Sequence, residues 1–231
     1  MSVPNPTPNN LTQVLFGPLL VDFTAATTYT LGQLEYDENL FVPTNAFITY
    51  TNTGGTNSTQ AVVAIDNGTT GDNIATATLP ATPVAAIDGT GNRSQTILAL
   101  TNPGYILGRS PVANANPAPT AAPNGAASVQ SLRVNVTTAA IPSLATTNRS
   151  TANNISTLTV ASVPSWLVAG SMVSILTVGN AGYNGNVSVL SVTGTTFSYY
   201  NPSVATEAST ADTAGRIGAL QGNVYVAGFL I

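Results

Sequence analysis

The chain has no cysteine, no histidine and no lysine, and only 6% of its 231 residues are charged, against roughly a quarter in an ordinary soluble domain. Without His and Cys, the side chains that hold Zn, Cu or Fe tightly are absent, so no metal or other cofactor is expected. Cysteine nucleophiles and Ser-His-Asp triads are excluded on the same ground. The net charge of −4 leaves no basic stripe to neutralise phosphates, which argues against nucleic acid as a partner. No disulfide framework is possible. No run of about 18 apolar residues occurs, so no membrane span is expected. Met1–Asn10 shows neither a basic nor an apolar leader region, so no secretory signal is expected.

What is present is 43% hydrophobic residues, with Thr, Asn, Ser, Ala and Gly where charge would usually stand. Short Val/Ile/Thr/Tyr/Phe runs recur between Gly, Asn and Pro clusters, the pattern of an all-β sandwich or barrel. The runs are Leu19–Thr24, Asn45–Tyr50, Gln60–Ile65, Gln95–Leu100, Ser128–Val136, Thr157–Ala161, Met172–Val178, Asn186–Val192, Thr195–Tyr200 and Asn223–Leu230. Turn signals include Thr53-Gly54-Gly55, Asn67-Gly68, Asp88-Gly89, Asn184-Gly185 and Thr193-Gly194. Gln33–Leu40 has room for one helical turn at most.

Three stretches stand apart. Residues 1–13 carry Pro4, Pro6 and Pro8 and read as an extended arm. Residues 108–127, with four prolines among small side chains, read as an extended loop. Residues 141–154 read as a polar Ser/Thr/Asn linker, hence a domain boundary. The segment beyond it is long enough for a small closed barrel.

The order Leu167-Val168-Ala169-Gly170-Ser171, Gly179-Asn180-Ala181-Gly182-Tyr183-Asn184-Gly185, then Ser191-Val192-Thr193-Gly194-Thr195-Thr196-Phe197 resembles a small β module found in tailed-bacteriophage structural proteins. The resemblance spans about Ile155 to Gly215. The flanks, Phe41–Ala46, Ser131–Ala140 and Gly222–Phe229, resemble jelly-roll-type phage head decoration (cement) proteins. In those proteins the strand like Val134–Ala139 is followed soon by the last strand. The resemblance therefore implies a base domain of residues 14–140 and 218–231, with residues 141–217 inserted as a small barrel. It also implies that the strand ending at Val136 and the strand starting at Asn223 are antiparallel neighbours. The implied role is that of a virion protein on the outer capsid surface, made in the host cytoplasm, with no catalytic residues. The implied partners are the major capsid protein and further copies of the chain in a homotrimer. Because the module also resembles parts of tail proteins, a tail-associated or receptor- or glycan-binding role is the alternative.

The acidic cluster Glu35-Tyr36-Asp37-Glu38 could be read as a carboxylate pair or a Ca²⁺ site. It lacks a partner at a catalytic spacing and the alternating pattern of a calcium loop, so a solvated loop or an Arg contact is preferred. Asp66–Asn73 reads as a turn before it reads as a Ca²⁺ loop. Asn-x-Ser/Thr triplets such as Asn57-Ser58-Thr59 are expected by chance in so Asn- and Thr-rich a chain. Trp166 and Tyr183 read as core of the inserted module. Tyr199-Tyr200 places two rings on opposite faces of a strand, and the exposed one, taken to be Tyr200, is a candidate contact for a partner or glycan. Arg133, inside an apolar strand, should meet an acid across the sheet or across a subunit interface. In the last strand, Val224, Val226 and Leu230 share one face, and Tyr225, Phe229 and Ile231 the other. A strand apolar on both faces needs cover on both, which makes Tyr225 and Phe229 interface candidates.

Overall fold

A computed structural model describes residues 12–35, 41–66, 73–83, 95–101 and 129–230. The strands in chain order are β1 (Thr12–Asp22), β2 (Thr28–Glu35), β3 (Phe41–Gly54), β4 (Asn57–Thr59), β5 (Val62–Asp66), β6 (Asn73–Thr78), β7 (Gln95–Leu100) and β8 (Val129–Thr138). They continue with β9 (Ile141–Pro142), β10 (Leu144–Ala152), β11 (Ile155–Val160), β12 (Met172–Leu176), β13 (Gly185–Thr193), β14 (Thr196–Tyr200), β15 (Glu207–Ala211) and β16 (Arg216–Leu230). The one helical element among the described residues is a single 3-10 turn at Ala181–Tyr183. The fold is all-β and antiparallel.

Eight strands form the base sandwich. One sheet runs β1-β16-β3-β7 and the other β2-β8-β5-β6. Counted in chain order among these eight, the sheets read 1-8-3-6 and 2-7-4-5, the strand order of a jelly roll. β7 joins the sheets along one side, pairing β3 through Gln95–Leu98 and β6 through Ala99 and Leu100. Between the sheets lies a core that includes Val21, Phe23, Ile48, Val63, Ile65, Leu98, Leu132, Val134, Val224 and Val226. Alternate residues of β16 point into it, as a half-buried strand requires.

The remaining strands close a second body. β10, β11, β14, β13, β12 and the start of β16 pair in that order, and β10 returns to β16 through Leu144↔Ile217 and Ala145↔Arg216. This ring is a small barrel, with β15 paired outside β10. Its core includes Leu158, Ile175, Tyr183, Val189, Phe197, Tyr199 and Ile217.

Four expectations are corrected. The stretch 141–154 is no linker: β9 pairs with β4 of the base, and β10 is a barrel strand whose Thr146 and Thr151 are buried in hydrogen bonds. Polar Thr and Ser serve as strand residues there because each buried hydroxyl has a partner. The strands ending at Val136 and starting at Asn223 are not neighbours. β8 pairs with β2 and β5, β16 with β1 and β3, because the seventh-to-eighth connection of a jelly roll crosses between sheets. Gln33–Glu35 is strand, not helix, and residues 36–40 lie outside the described residues. Thr12 and Gln13 belong to β1, while the rest of the arm and the 108–127 loop lie outside the described residues.

The two bodies meet along a hydrogen-bonded seam. Asn186 Nδ2 donates to Asp22 Oδ2 at 2.7 Å, Ser174 Oγ to Asn186 Oδ1 at 2.7 Å, and Thr24 Oγ1 to Ser174 Oγ at 2.9 Å. Asn52 Nδ2 donates to the Met172 carbonyl at 2.8 Å. Pro142 lies so close over Gly218 that a Cβ there would stand 2.4 Å from its Cγ. Gly218→Val should therefore force the seam apart and lower unfolding free energy by about 1–3 kcal/mol, read as an earlier urea midpoint. Replacing residues 145–216 by Asn-Gly, which turns the paired Leu144 and Ile217 into a hairpin, should leave a base that still unfolds cooperatively. A strand-rich circular dichroism spectrum with a single urea transition checks this.

Candidate functional site

The outward face of the β1-β16-β3-β7 sheet is the most distinctive surface of the base. Tyr225 lies across from Phe47, and Phe47 from Ile97. The Tyr225 and Phe47 rings stack with centroids 4.8 Å apart and planes 13° apart. Leu15 and Leu20 add exposed side chains on β1, at 54% and 55%, and Ile97 is 64% exposed.

A bulge in β1 makes this face continuous. Residues five apart in a regular strand point to opposite sides. Between Phe16 and Leu19 the register shifts, so Leu15 stands opposite Ala227 and Leu20 opposite Asn223. Both leucines consequently face outward, as Tyr225 does. Gly17, at φ +113°, lies within the bulge, where a Cβ would stand 2.5 Å from the Val224 carbonyl oxygen and 3.1 Å from Tyr225 Cδ1. Only a residue without a side chain lets Tyr225 lie down on this edge.

The four interface candidates separate. Tyr225 and Phe229 share this outer face, both half-buried. Arg133 is in the opposite sheet, where its Nε donates to Asp66 Oδ1 at 2.9 Å and its second guanidinium nitrogen to Oδ2 at 3.2 Å. Asn135 also donates to Asp66. Asp66 is the direct cross-strand partner of Arg133, so the acid sits within the same chain. Tyr200 is on the barrel, 66% exposed, paired across the strands with Ile155. Its neighbour Tyr199 is buried, with its hydroxyl donating to the Tyr183 carbonyl at 2.9 Å.

The barrel contains a polar cluster around Arg149, whose acid partners the sequence does not identify. Arg149 donates to Glu207 Oε1 at 3.0 Å and to Asp212, and its guanidinium lies 5.8 Å from the Tyr183 ring centroid. Asp212 also accepts from the amides of Gly179, Ala214 and Gly215, at 2.8, 3.1 and 3.2 Å. Burial pushes the Asp212 carboxyl up, but these amides and Arg149 outweigh it and hold it below the usual range. Burial likewise acts against Glu207, and hydrogen bonds from Tyr183, Asn180 and Arg149 outweigh it in the same direction. Burial pushes the Tyr199 hydroxyl up to about 12. With its oxygens occupied by amides and Arg149, Asp212 braces the barrel. In a chain this poor in charge, an Arg inside a strand-like Thr/Ser run was the available signal for a paired acid.

Trp166, half-buried, packs on the barrel core at the seam, where a Cβ on Gly54 would stand 3.1 Å from its ring. Along the seam runs a shallow, solvent-open crease lined by Asn52, Met172, Ser174, Asn186 and Gln221. Among the described residues no group of three or more His, Cys, Asp or Glu side chains is placed to hold a metal ion. No protein-family model matches the chain, and no match is found among curated proteins or solved structures.

The depressed carboxyls set an acid limit on stability. Their unfolded-state values lie near 4. Their contribution is therefore complete above about pH 4–5 and is lost as pH falls below 4 through the lower folded-state values. Urea midpoints followed by Trp166 fluorescence should drop across that window. Asp212→Ala, which leaves Arg149 without one acid of its pair, should cost about 3–5 kcal/mol at neutral pH and flatten the acid dependence.

Proposed function

We propose that this chain is a structural virion protein: a decoration, or cement, protein on the outer surface of a tailed-phage head. In this reading the base binds the major capsid protein across seams between capsomers, the chain acts as a homotrimer, and the barrel projects outward. The observation that carries the reading is the architecture, a jelly roll with a closed barrel built into its seventh-to-eighth connection. It coincides with the two resemblances in the sequence, the Tyr183-Asn184-Gly185 module and the flanking jelly-roll strands.

The mechanism is binding by area. A subunit that binds the closed shell and not the opened one stabilises the closed state in proportion to RT ln(1 + [L]/Kd). No bond is made or broken. A rigid two-body protein suits the task, since every hydrogen bond across the barrel–base seam limits the entropy lost when the protein docks.

Exposed Tyr200 beside Ile155 favours a second reading, a tail-associated or glycan-binding module, because a flat exposed ring can stack on a sugar.

The full chain should co-sediment with purified empty heads and raise the temperature at which they open. Tyr200→Ala should leave both effects unchanged. Absence of co-sedimentation at micromolar concentration sinks the decoration reading, and Tyr200-dependent retention on host polysaccharide supports the second.

A further inference from the structure

We propose that the outer face of the β1-β16-β3-β7 sheet is a self-association surface, and that its occupant is a second copy of this chain. The inference deepens the homo-oligomer in the reading above and does not depend on what the oligomer binds.

The bulge at Gly17-Pro18 brings Leu15 and Leu20 to the same side, and the missing side chain at Gly17 lets Tyr225 lie against the sheet and stack on Phe47. Ile97 extends that row onto β7. Leucines, a stacked aromatic pair and an isoleucine thus span all four strands of the sheet. Contiguous exposed apolar surface of this kind marks a contact site in a water-soluble fold.

Each copy carries a net −4, so two copies repel wherever charged surfaces meet. Residues 13–20, 42–49, 96–99 and 223–229, which build the face, contain no Asp, Glu or Arg. Like copies can approach there without bringing like charges together. A basic partner would gain nothing from such a face.

Strands lie about 4.8 Å apart and rise about 3.3 Å per residue. The four segments just named therefore present roughly 430 Å² of flat area per copy. Twice that, roughly 860 Å², is the size of a weak, reversible association. The barrel does not compete for the face, since its hydrogen bonds to this sheet are at Asp22 and Asn52, beyond the apolar rows.

Light scattering on the full chain at micromolar concentration tests the idea. The wild type should run as an oligomer. Leu15→Glu with Ile97→Glu should run as a monomer, with association weakened roughly hundredfold or more, because the contact would bury unpaired carboxylates. Both sites are more than half exposed, so the circular dichroism spectrum should not move, and the urea midpoint should fall no further than the wild type's own midpoint falls on dilution to the monomer. If the double variant does unfold earlier, Ile97→Glu alone decides. Tyr200→Glu on the barrel is the control and should keep the oligomeric mass. A monomeric wild type, an oligomer that survives the double substitution, or one that Tyr200→Glu dissociates each overturns the proposal. So does a double variant that stays oligomeric but no longer binds empty heads, since the face then belongs to the capsid. A wild-type oligomer that the double variant dissociates, in a protein with no affinity for heads, leaves this proposal standing and removes the decoration reading.

Discussion

One strand is hydrogen-bonded into both bodies of this protein, and the arrangement of everything else follows from it. β16 starts in the barrel ring, where Arg216–Gly218 pair with β12 and β10. It continues without a break between β1 and β3 of the sandwich. Its inward-pointing residues pass from Ile217 in one core to Leu220, Val224 and Val226 in the other. A strand has one register and one direction, so the barrel's orientation relative to the sandwich is set by backbone pairing and not by a tether. The Asp22–Asn186–Ser174–Thr24 chain of hydrogen bonds and the Trp166 contact over Gly54 complete a junction whose geometry is already determined.

Scarcity of charge shapes the interior as much as the surface. Buried Asp66 and Asp212 each meet an Arg from a neighbouring strand and further donors besides. A buried carboxylate is tolerated when its lone pairs are filled, and both are. Elsewhere buried polar strand residues are Thr, Ser and Asn bonded to one another, as where Thr151 meets Ser156 and Tyr183. Polar satisfaction by short neutral side chains lets a barrel of this size carry many non-hydrophobic interior positions.

The fold class was legible because apolar β-branched runs separated by Gly and Asn have few other solutions, and Gln95–Leu100 emerges with the bounds read from the sequence. The strands that escaped notice are β2, β4, β6, β9, β10 and β15; in β10 the fully buried positions are the hydroxyls of Thr146 and Thr151. In Leu144–Ala152 the partners that make Thr146 and Arg149 strand residues lie more than fifty residues away, so no local window contains the signal. The bulge in β1 was hidden for the same reason, since a register shift is a property of two strands. Arg133 announced an acid partner, yet whether that acid lay in the same chain depended on which strand became its neighbour. The outer sheet face was half-legible: alternation placed Tyr225 and Phe229 together, but Phe47, Ile97 and the two leucines joined them only through pairing.

The shared strand also has a mechanical meaning. Tension between the barrel and the sandwich runs along β16 lengthwise. Over Gln221–Leu230 its ladders to β3 and β1 lie parallel to that tension. The load is therefore carried in shear, by many hydrogen bonds at once, and not peeled from one end. The part of the molecule that links its two bodies is thus the part built to resist being pulled.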